Sequence, residues 1–583
     1  MANILIADLE KGECYAQGLD KTINKSAGGR LLGLELYRKY QDQNPLIFAS
    51  SRFNTNPYER KFNGRVTLLG KSPLTGNVYS SNSGGPLGVS LAEKGYDALI
   101  ILGSSNDEVY IDIENERISH EKPQNSNSIE AGKSAYSGSN YAILSDNNSG
   151  TYGRGGFGSA FAGKNLKGVS YSLSSQDQKP LWNSLRETLE SIHLGDTRSW
   201  QPTLKMQGLL GLLIQNNWQN AENSSLYNKI QDQIKDSESD SPCSCYDKCS
   251  FRCPGKVNVD YDGIEKIVKG PHNQTAQLLG PNLGISDIQE IYNLSELCNE
   301  AGIDTMSFGA VIAAAMDMYE NGFLEDTDEI EMEFGNYSSV VSCLEKIVDV
   351  DDQSTFTKRL RKGVKTFTEE YGHPESAMQV KGLSFSAYDV VNMPALALWF
   401  AVSNRGPDHF RGGGFINMEG GDFADAIYRN ERSGIICDIL GLDRFSSIGW
   451  FEDEVVEFTK QQGQEIASDE LDYLVRKTLV LERTLYLENS GGKVQDNLPR
   501  RILDRMDAVR VDDFKSHCNN FEQWAKESGV DNLKELFYQN VSKYYDRIGL
   551  DESGIPKIET LIELGIFDQD SAKEWYEKMK ATS

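Results

Sequence analysis

The sequence predicts an α+β protein in which β-structure comes first and helices follow. Three observations carry this. Over residues 1–172, short apolar runs such as Ala98-Leu-Ile-Ile-Leu-Gly103 and Tyr110-Ile-Asp-Ile113 alternate with glycine-rich turn clusters, the pattern of short strands. From about residue 180 the apolar residues recur at helical spacing. The 583 residues are 39% hydrophobic and 10% aromatic, enough for two to four packed domains and too apolar for global disorder.

Individual elements can be placed. Ser286 is the expected cap of a helix with an apolar face of Ile288, Ile291, Leu294, Leu297 and Cys298, ending near Gly302. Residues 309–320 read as a buried helix stopped by Asn321-Gly322. The last 120 residues are charged and amphipathic. Residues 236–242 form a polar loop, and the sequence shows no tandem repeat.

With 59 basic and 86 acidic residues, the net charge is −27, which excludes the basic face that a nucleic acid or an anionic membrane needs. Such a surface suits a basic patch on a partner. The N-terminus lacks a basic segment followed by an apolar core, so no secretory signal is expected. The apolar run Ala395–Val402 falls well short of the roughly 18 residues of a membrane helix. These features predict a cytoplasmic protein.

Of nine cysteines, five are scattered and four crowd into one loop: Cys243, Cys245, Cys249 and Cys253. Reduced thiols packed this closely point to metal, as an iron–sulfur cluster or structural zinc. Zinc usually draws on two separated pairs, so a single loop favours iron–sulfur. Cys243-x-Cys245 is too cramped for adjacent ligation, so a distant fourth ligand is expected.

Two glycine-rich segments, Ser80–Gly88 and Gly153–Gly158, leave backbone N–H groups accessible. With Arg65 and Arg154 they could hold phosphate, or they could be ordinary turns. The second lacks the strand and helix of a dinucleotide fingerprint in its expected arrangement. Two hexapeptides, Asn299-Glu-Ala-Gly-Ile-Asp304 and Asp438-Ile-Leu-Gly-Leu-Asp443, each follow an apolar helical stretch. Each can act as a polar hook that accepts pterin N–H groups, or simply as a helix C-cap.

Taken together and in order, Lys71-Ser-Pro-Leu-Thr-Gly, Asn82-Ser-Gly-Gly, Gly153-Arg-Gly-Gly-Phe-Gly, Lys164-Asn-Leu-Lys, Gly280-Pro-Asn-Leu-Gly-Ile, Gly302-Ile-Asp-Thr and Ser403-Asn-Arg-Gly resemble the aldehyde:ferredoxin oxidoreductase family. The resemblance spans residues 1–460 and is weak beyond. It implies a double β-sheet cofactor base over 1–172 and two mainly helical domains, 173–385 and 386–583. It also implies tungsten on two molybdopterins joined through magnesium, and a cluster of 4Fe–4S or 3Fe–4S type. The pterin-contacting arginine corresponds to Arg65. The magnesium-binding carbonyls correspond to Asn82 and Thr151. The cofactor blocks are Ser83, Gly84, Gly85, Arg154, Gly155 and Gly156, with hooks at Asn299, Gly302 and Asp304 and at Asp438, Gly441 and Leu442. His409 matches the active-site histidine.

The departures are specific. The family spacing Cys-x2-Cys-x3-Cys is met by Cys249 and Cys253, but Cys245 precedes at x3. Asp443 stands where a fourth cysteine closes the second hook, with Cys243 the rival ligand. Gln274 replaces a substrate-side glutamate and cannot serve as a general base. The family's dimer-bridging Glu/His pair has no clear counterpart. The resemblance implies aldehyde oxidation or its reverse, with electrons passed to ferredoxin or another low-potential carrier. Two alternatives stand beside it: low-potential reduction of another class such as aryl-CoA, or a non-catalytic electron-transfer subunit. A homodimer or a larger redox complex is compatible with these readings, and the sequence does not set the oligomeric state.

Overall fold

The computed structural model describes all residues except 1–2, 21–22, 24–27, 52, 54–63, 125, 147–149, 173–203, 205–206, 209–210, 220–223, 235–255, 262, 410, 412–422, 443–451, 462–464, 515–527 and 583. The N-terminal part contains two six-stranded sheets, and helices follow, as the sequence predicts. The first sheet comprises β1 (Asn3–Asp8), β2 (Glu13–Gly18), β3 (Leu46–Ala49), β4 (Val66–Lys71), β5 (Val78–Ser83) and β6 (Tyr96–Leu102), in the order β2-β1-β6-β3-β4-β5. The second comprises β7 (Val109–Asp112), β8 (Arg117–Ser119), β9 (Asn127–Ala131), β10 (Leu144–Asp146), β11 (Gly150–Tyr152) and β12 (Leu166–Tyr171), in the order β11-β10-β9-β12-β7-β8.

Read from the opposite edge, the second order reproduces the first. Among the described residues, only β1–β6 and β7–β12 pair in parallel, and these are equivalent pairs. The domain is therefore a topological duplication, although the sequence shows no repeat: backbone pairing recurs while side chains have diverged. Alternation explains the layers. On the first sheet Leu5, Ala7, Phe48, Leu68 and Leu99 pack against Ile111, Ile129, Leu144 and Val169 of the second. The other face, with Ile4, Ile6, Ile47, Leu69 and Ile100, joins a core shared with the C-terminal helices. A third core gathers mostly helical residues between 204 and 377, with Val257, Val259 and Val268 of a hairpin and Tyr141 of the sheet domain.

Several sequence expectations are corrected. The helix Ile288–Ala301 is capped by Asp287, whose Oδ1 accepts from the N–H of Gln289 at 2.7 Å, one residue after the expected Ser286. The carboxylate takes the first-turn N–H groups because the helix starts at Ile288. The buried helix expected over 309–320 begins earlier, at Thr305, where Asp304 caps it. Gly153–Gly156 does lie between a strand, β11, and a helix, Phe157–Ala162, whose first two residues complete the motif. That strand is an antiparallel edge and the helix has 6 residues, so the arrangement is still not a dinucleotide fold. Among the described residues, no helix is long and apolar enough to cross a membrane.

The helical parts meet the sheets at glycines. A Cβ on Gly29 (φ +46°) would lie 1.8 Å from the Asp438 carbonyl oxygen, and one on Gly132 would lie 2.4 Å from the Gly302 Cα. Gly29→Ala combines left-handed strain with a backbone clash; Gly76→Ala (φ +72°, open space) carries strain alone. Thermal unfolding should show a clearly larger loss for Gly29→Ala, by about 2 kcal/mol or more over the 1–3 kcal/mol strain cost. Equal midpoints would contradict this packing.

Candidate functional site

The two glycine-rich segments occupy equivalent places in the duplicated domain. Asn82-Ser83-Gly84-Gly85 closes β5 and leads into the helix Leu87–Glu93; Thr151 to Gly156 runs from β11 into the helix Phe157–Ala162. The segments touch: a Cβ on Gly150 would lie 2.4 Å from Ser83 Oγ and 2.9 Å from the Gly84 carbonyl. Thr151 lies beside this contact on β11. Gly155 (φ +91°) and Gly156 (φ +74°) are demanded by the Tyr79 ring and the Asn140 carbonyl, which Cβ atoms would approach to 2.4 Å and 1.9 Å.

The two hooks end their helices in the same way. In the first, Gly302 N–H donates to the Asn299 carbonyl at 3.0 Å and Ile303 N–H to Cys298 at 3.0 Å. In the second, Gly441 N–H donates to Asp438 at 3.3 Å and Leu442 N–H to Cys437 at 2.8 Å. Both glycines have φ +68°. These are left-handed helix caps with two reverse bonds each. Each then docks on the sheets at an equivalent position. The Gly302 carbonyl accepts the N–H of Ile143, just before β10, at 2.9 Å, and the Gly441 carbonyl accepts that of Arg65, just before β4, at 3.1 Å.

The polar ends of the hooks differ. Asn299 is exposed. Asp304 caps the next helix through Met306 N–H at 3.0 Å, accepts from Ser307 Oγ at 2.5 Å, and pairs with buried Arg154 at 3.4 Å. Arg154 also donates to Ser384 Oγ at 2.6 Å. Asp438 is the centre of a larger network. Asn82 Nδ2 donates to its Oδ1 at 3.2 Å while Arg65 Nη1 donates to Asn82 Oδ1 at 3.2 Å. Arg30 Nε lies 3.2 Å from Asp438 Oδ2 and Arg411 Nη2 lies 3.9 Å from it. Glu482 pairs with both arginines, at 3.5 and 3.8 Å, and Arg411 donates to Ser80 Oγ at 2.7 Å. Burial, helped by Arg30, pulls the Arg411 guanidinium down to about 10.

Arg30, Arg411 and Glu482 escaped the sequence reading. Arg30 follows Gly28-Gly29 at a helix start and Arg411 lies two residues after His409; only those neighbours hinted at a role.

Gln274 and His409 are brought to one strap, Ser386-Ala387-Tyr388. Ala387 N–H donates to Gln274 Oε1 at 2.6 Å. His409 Nδ1 lies 3.0 Å from Ser386 Oγ, and its ring centre is 5.4 Å from that of Tyr388. Gln274 and Gln207 are buried, and the side chains of both lie beside the Tyr388 phenol. Burial raises the Tyr388 phenol above its usual range. Cys243, Cys245, Cys249, Cys253 and Asp443 lie outside the described residues. Among those described, no group of three or more His, Cys, Asp or Glu is arranged to hold a metal.

Against known proteins, residues 194–566 match the family described as "Aldehyde ferredoxin oxidoreductase, domains 2 & 3", and residues 4–127 match that family's N-terminal domain. A tungsten-containing aldehyde ferredoxin oxidoreductase of Pyrococcus furiosus is 27% identical, covering 96% of this chain and 98% of that protein. The protein of that name from Thermococcus kodakarensis is 27% identical, over 86% and 87%. An aliphatic sulfonate oxidoreductase, WOR-like subunit, of Pyrococcus furiosus is 25% identical, over 94% of each. The solved active-site complex BamBC of benzoyl coenzyme A reductase shares the fold, with a TM-score of 0.76 at 18% identity over 100% of this chain and 99% of that one. With the family match covering well over half its length, the chain belongs to the aldehyde ferredoxin oxidoreductase family.

Proposed function

We propose that this chain is a tungsten-pterin oxidoreductase acting on an aldehyde-type carbonyl, in oxidation or the reverse reduction. Electrons then pass through an iron–sulfur cluster to ferredoxin or another low-potential carrier. The observation that carries this reading is the duplicated cradle, with its hooks docked at equivalent places and its buried arginine N–H groups unsatisfied. Arg30 Nη2, Arg411 Nη2 and Arg154 Nη1 have no hydrogen-bond partner. Leaving such donors buried costs on the order of 1–3 kcal/mol each or more. A phosphate-bearing group with two similar halves would satisfy them, so the residues fit a bis-pterin cofactor.

Arg65, Asn82 and Asp438 would hold one half, and Arg154 and Asp304 the other, with Asn82 and Thr151 offering backbone carbonyls to magnesium. The bound group would supply two-electron redox chemistry. The chain's own contribution is placement and charge balance. The strap aligns Gln274, whose buried Nε2 can donate to a substrate oxygen, and His409, which can exchange a proton with it.

The neutral amide of Gln274 favours a second reading, low-potential reduction of another class such as an aryl-CoA thioester. Activity with dye acceptors across aldehydes and aryl-CoA thioesters separates the two. A loaded protein inert to both would point to the electron-transfer subunit instead.

Three outcomes are expected. Anaerobically purified protein should contain one tungsten or molybdenum and one iron–sulfur cluster per chain by elemental analysis. One zinc and neither heavy metal would refute the reading. Asp438→Ala should lower pterin occupancy, because charge-assisted bonds are worth roughly 1.5–3 kcal/mol each; full occupancy in Asp438→Ala with Asn299→Ala would reduce the hooks to caps. Asp443, read as the fourth cluster ligand beside Cys245, Cys249 and Cys253, is a harder ligand than thiolate and should leave one iron labile. Asp443→Cys should then give a more oxygen-tolerant four-iron signal by electron paramagnetic resonance. If Asp443→Ala leaves the signal intact while Cys243→Ala abolishes it, Cys243 holds that iron.

A further inference from the structure

Three consecutive residues, Asn216, Asn217 and Trp218, lie in the left-handed region, with φ of +46°, +52° and +60°. Asparagine tolerates that conformation, but a bulky tryptophan there is strained. Such a turn persists only where its surroundings hold it. Here they do so from several sides. Asn216 N–H donates to the Pro281 carbonyl and Asn217 N–H to that of Asn282, each at 3.2 Å. Asn217 Nδ2 donates to Asp317 Oδ2 at 2.9 Å and to the Ser376 carbonyl at 2.8 Å. The buried Trp218 gives its indole N–H to the Tyr388 carbonyl at 3.0 Å and meets the Phe385 ring edge-on at 5.9 Å. The turn thus braces the strap on which Gln274 is seated through the Ala387 N–H.

One helix from the C-terminal part, Arg500–Ala508, holds both turn and strap. Arg501 and Arg505 are one helical turn apart and so share a face. Arg501 Nη1 donates to the Asn217 carbonyl, and its Nη2 donates to Asp317 Oδ2 at 2.7 Å. Arg505 grips Asp389, the residue after Tyr388, with two bonds of 3.1 and 2.6 Å. The carboxylates are 1% and 0% exposed, while the guanidinium groups are 24% and 34% exposed. Burial pushes the Asp389 carboxyl up even with Arg505 against it, so the buried charge depends on that arginine.

Little else fastens the helix. Only Ile502 and Met506 among its residues are buried. Its N-terminal end borders a cavity of about 370 Å³, lined among others by Lys365, Glu369, Gln379, Leu498, Pro499 and Arg500. A narrow apolar stripe, a polar grip and open space beside one end are the marks of an element of low local stability.

We propose that the helix Arg500–Ala508 is a clamp in which Arg501 and Arg505 are positioning residues: Arg501 holds the left-handed turn, Arg505 holds Asp389, and together they keep the strap in the shape that seats Gln274. When the helix lifts, two buried carboxylates lose their counter-charge and the strained turn relaxes, which withdraws the Trp218 N–H from the Tyr388 carbonyl. The effect of the clamp on turnover rests on the oxidoreductase reading given above; its effect on the strap does not.

The test is amide hydrogen exchange of the holoprotein, read by mass spectrometry. In Arg501→Met with Arg505→Met, peptides covering 212–219 and 385–391 should exchange roughly 10-fold faster or more, with sheet peptides unchanged. Arg500→Met, on the same helix but directed at exposed Asp504, should leave the strap as in the wild type. Adding Asp389→Asn to Arg505→Met should recover part of the protection, because it removes the unpaired charge. Where the methionine variants fail to fold, Arg505→Lys decides: it keeps the charge but loses the two-pronged bond, and should speed strap exchange by roughly 3-fold. In active enzyme the double arginine variant should raise KM by roughly 10-fold with a smaller change in kcat, since the strap seats an amide that meets the substrate. Unchanged strap exchange, or an acceleration spread evenly over the whole chain, overturns the clamp. Local acceleration in protein that turns over neither aldehydes nor aryl-CoA thioesters would defeat the oxidoreductase reading and leave the clamp standing; active enzyme with unchanged strap exchange would do the reverse.

Discussion

The helical parts of this chain are held on the sheets by one kind of contact made twice: the carbonyl of a helix-ending glycine accepts the N–H of the residue that opens a strand. Gly302 receives Ile143 and Gly441 receives Arg65, at equivalent places in the duplicated sheet domain. A glycine at each position is a physical requirement. The cap needs a left-handed residue, and the approach of Gly132 to Gly302, or of Gly29 to Asp438, leaves no room for a Cβ. Once both contacts form, the hooks face the two glycine-rich segments, and the distances within the site follow.

A second constraint is charge. Arg30, Arg411, Asp438 and Glu482 are largely withdrawn from water. Each isolated ion would cost several kcal/mol to bury, so the network holds only because opposite charges and hydrogen bonds interleave. Planar guanidinium groups with several donors suit this better than lysine. The histidine loop is anchored by a related device. Asp496 is fully buried between Lys381 at 2.7 Å and Arg483 at 2.8 Å, and Arg483 Nη1 donates to Asn404 Oδ1 at 3.3 Å. Lys381 also donates to the Ala401 carbonyl, so the chain leading towards His409 is tied at Ala401 and Asn404 to one ion cluster.

That anchoring fixes where the His409 loop sits against the strap, where His409 Nδ1 meets Ser386 Oγ at 3.0 Å. The amide at Gln274 accepts from the Ala387 N–H and lies beside the Tyr388 phenol. The strap thus joins a hydrogen-bond donor and a histidine across one short segment, bringing together residues 135 positions apart in the chain.

Local sequence determined what local physics controls. Alternating short apolar runs announced the strands, helical spacing announced the helices, and Gly302 and Gly441 announced caps, because each depends on near neighbours. The ordered motifs also marked Arg65, Asn82, Asp438, Gln274 and His409. The cap at Asp287 instead of Ser286 shows how a one-residue shift escapes a reading of spacing alone. The duplication of the sheets was invisible, since strand pairing is a backbone property that diverged side chains do not reveal. Arg30, Arg411, Glu482 and Ser386 were likewise silent: an arginine or a serine acquires its role only from the burial and the partners that distant segments provide. Tertiary structure decided those, because desolvation and hydrogen-bond geometry exist only after the chain has packed.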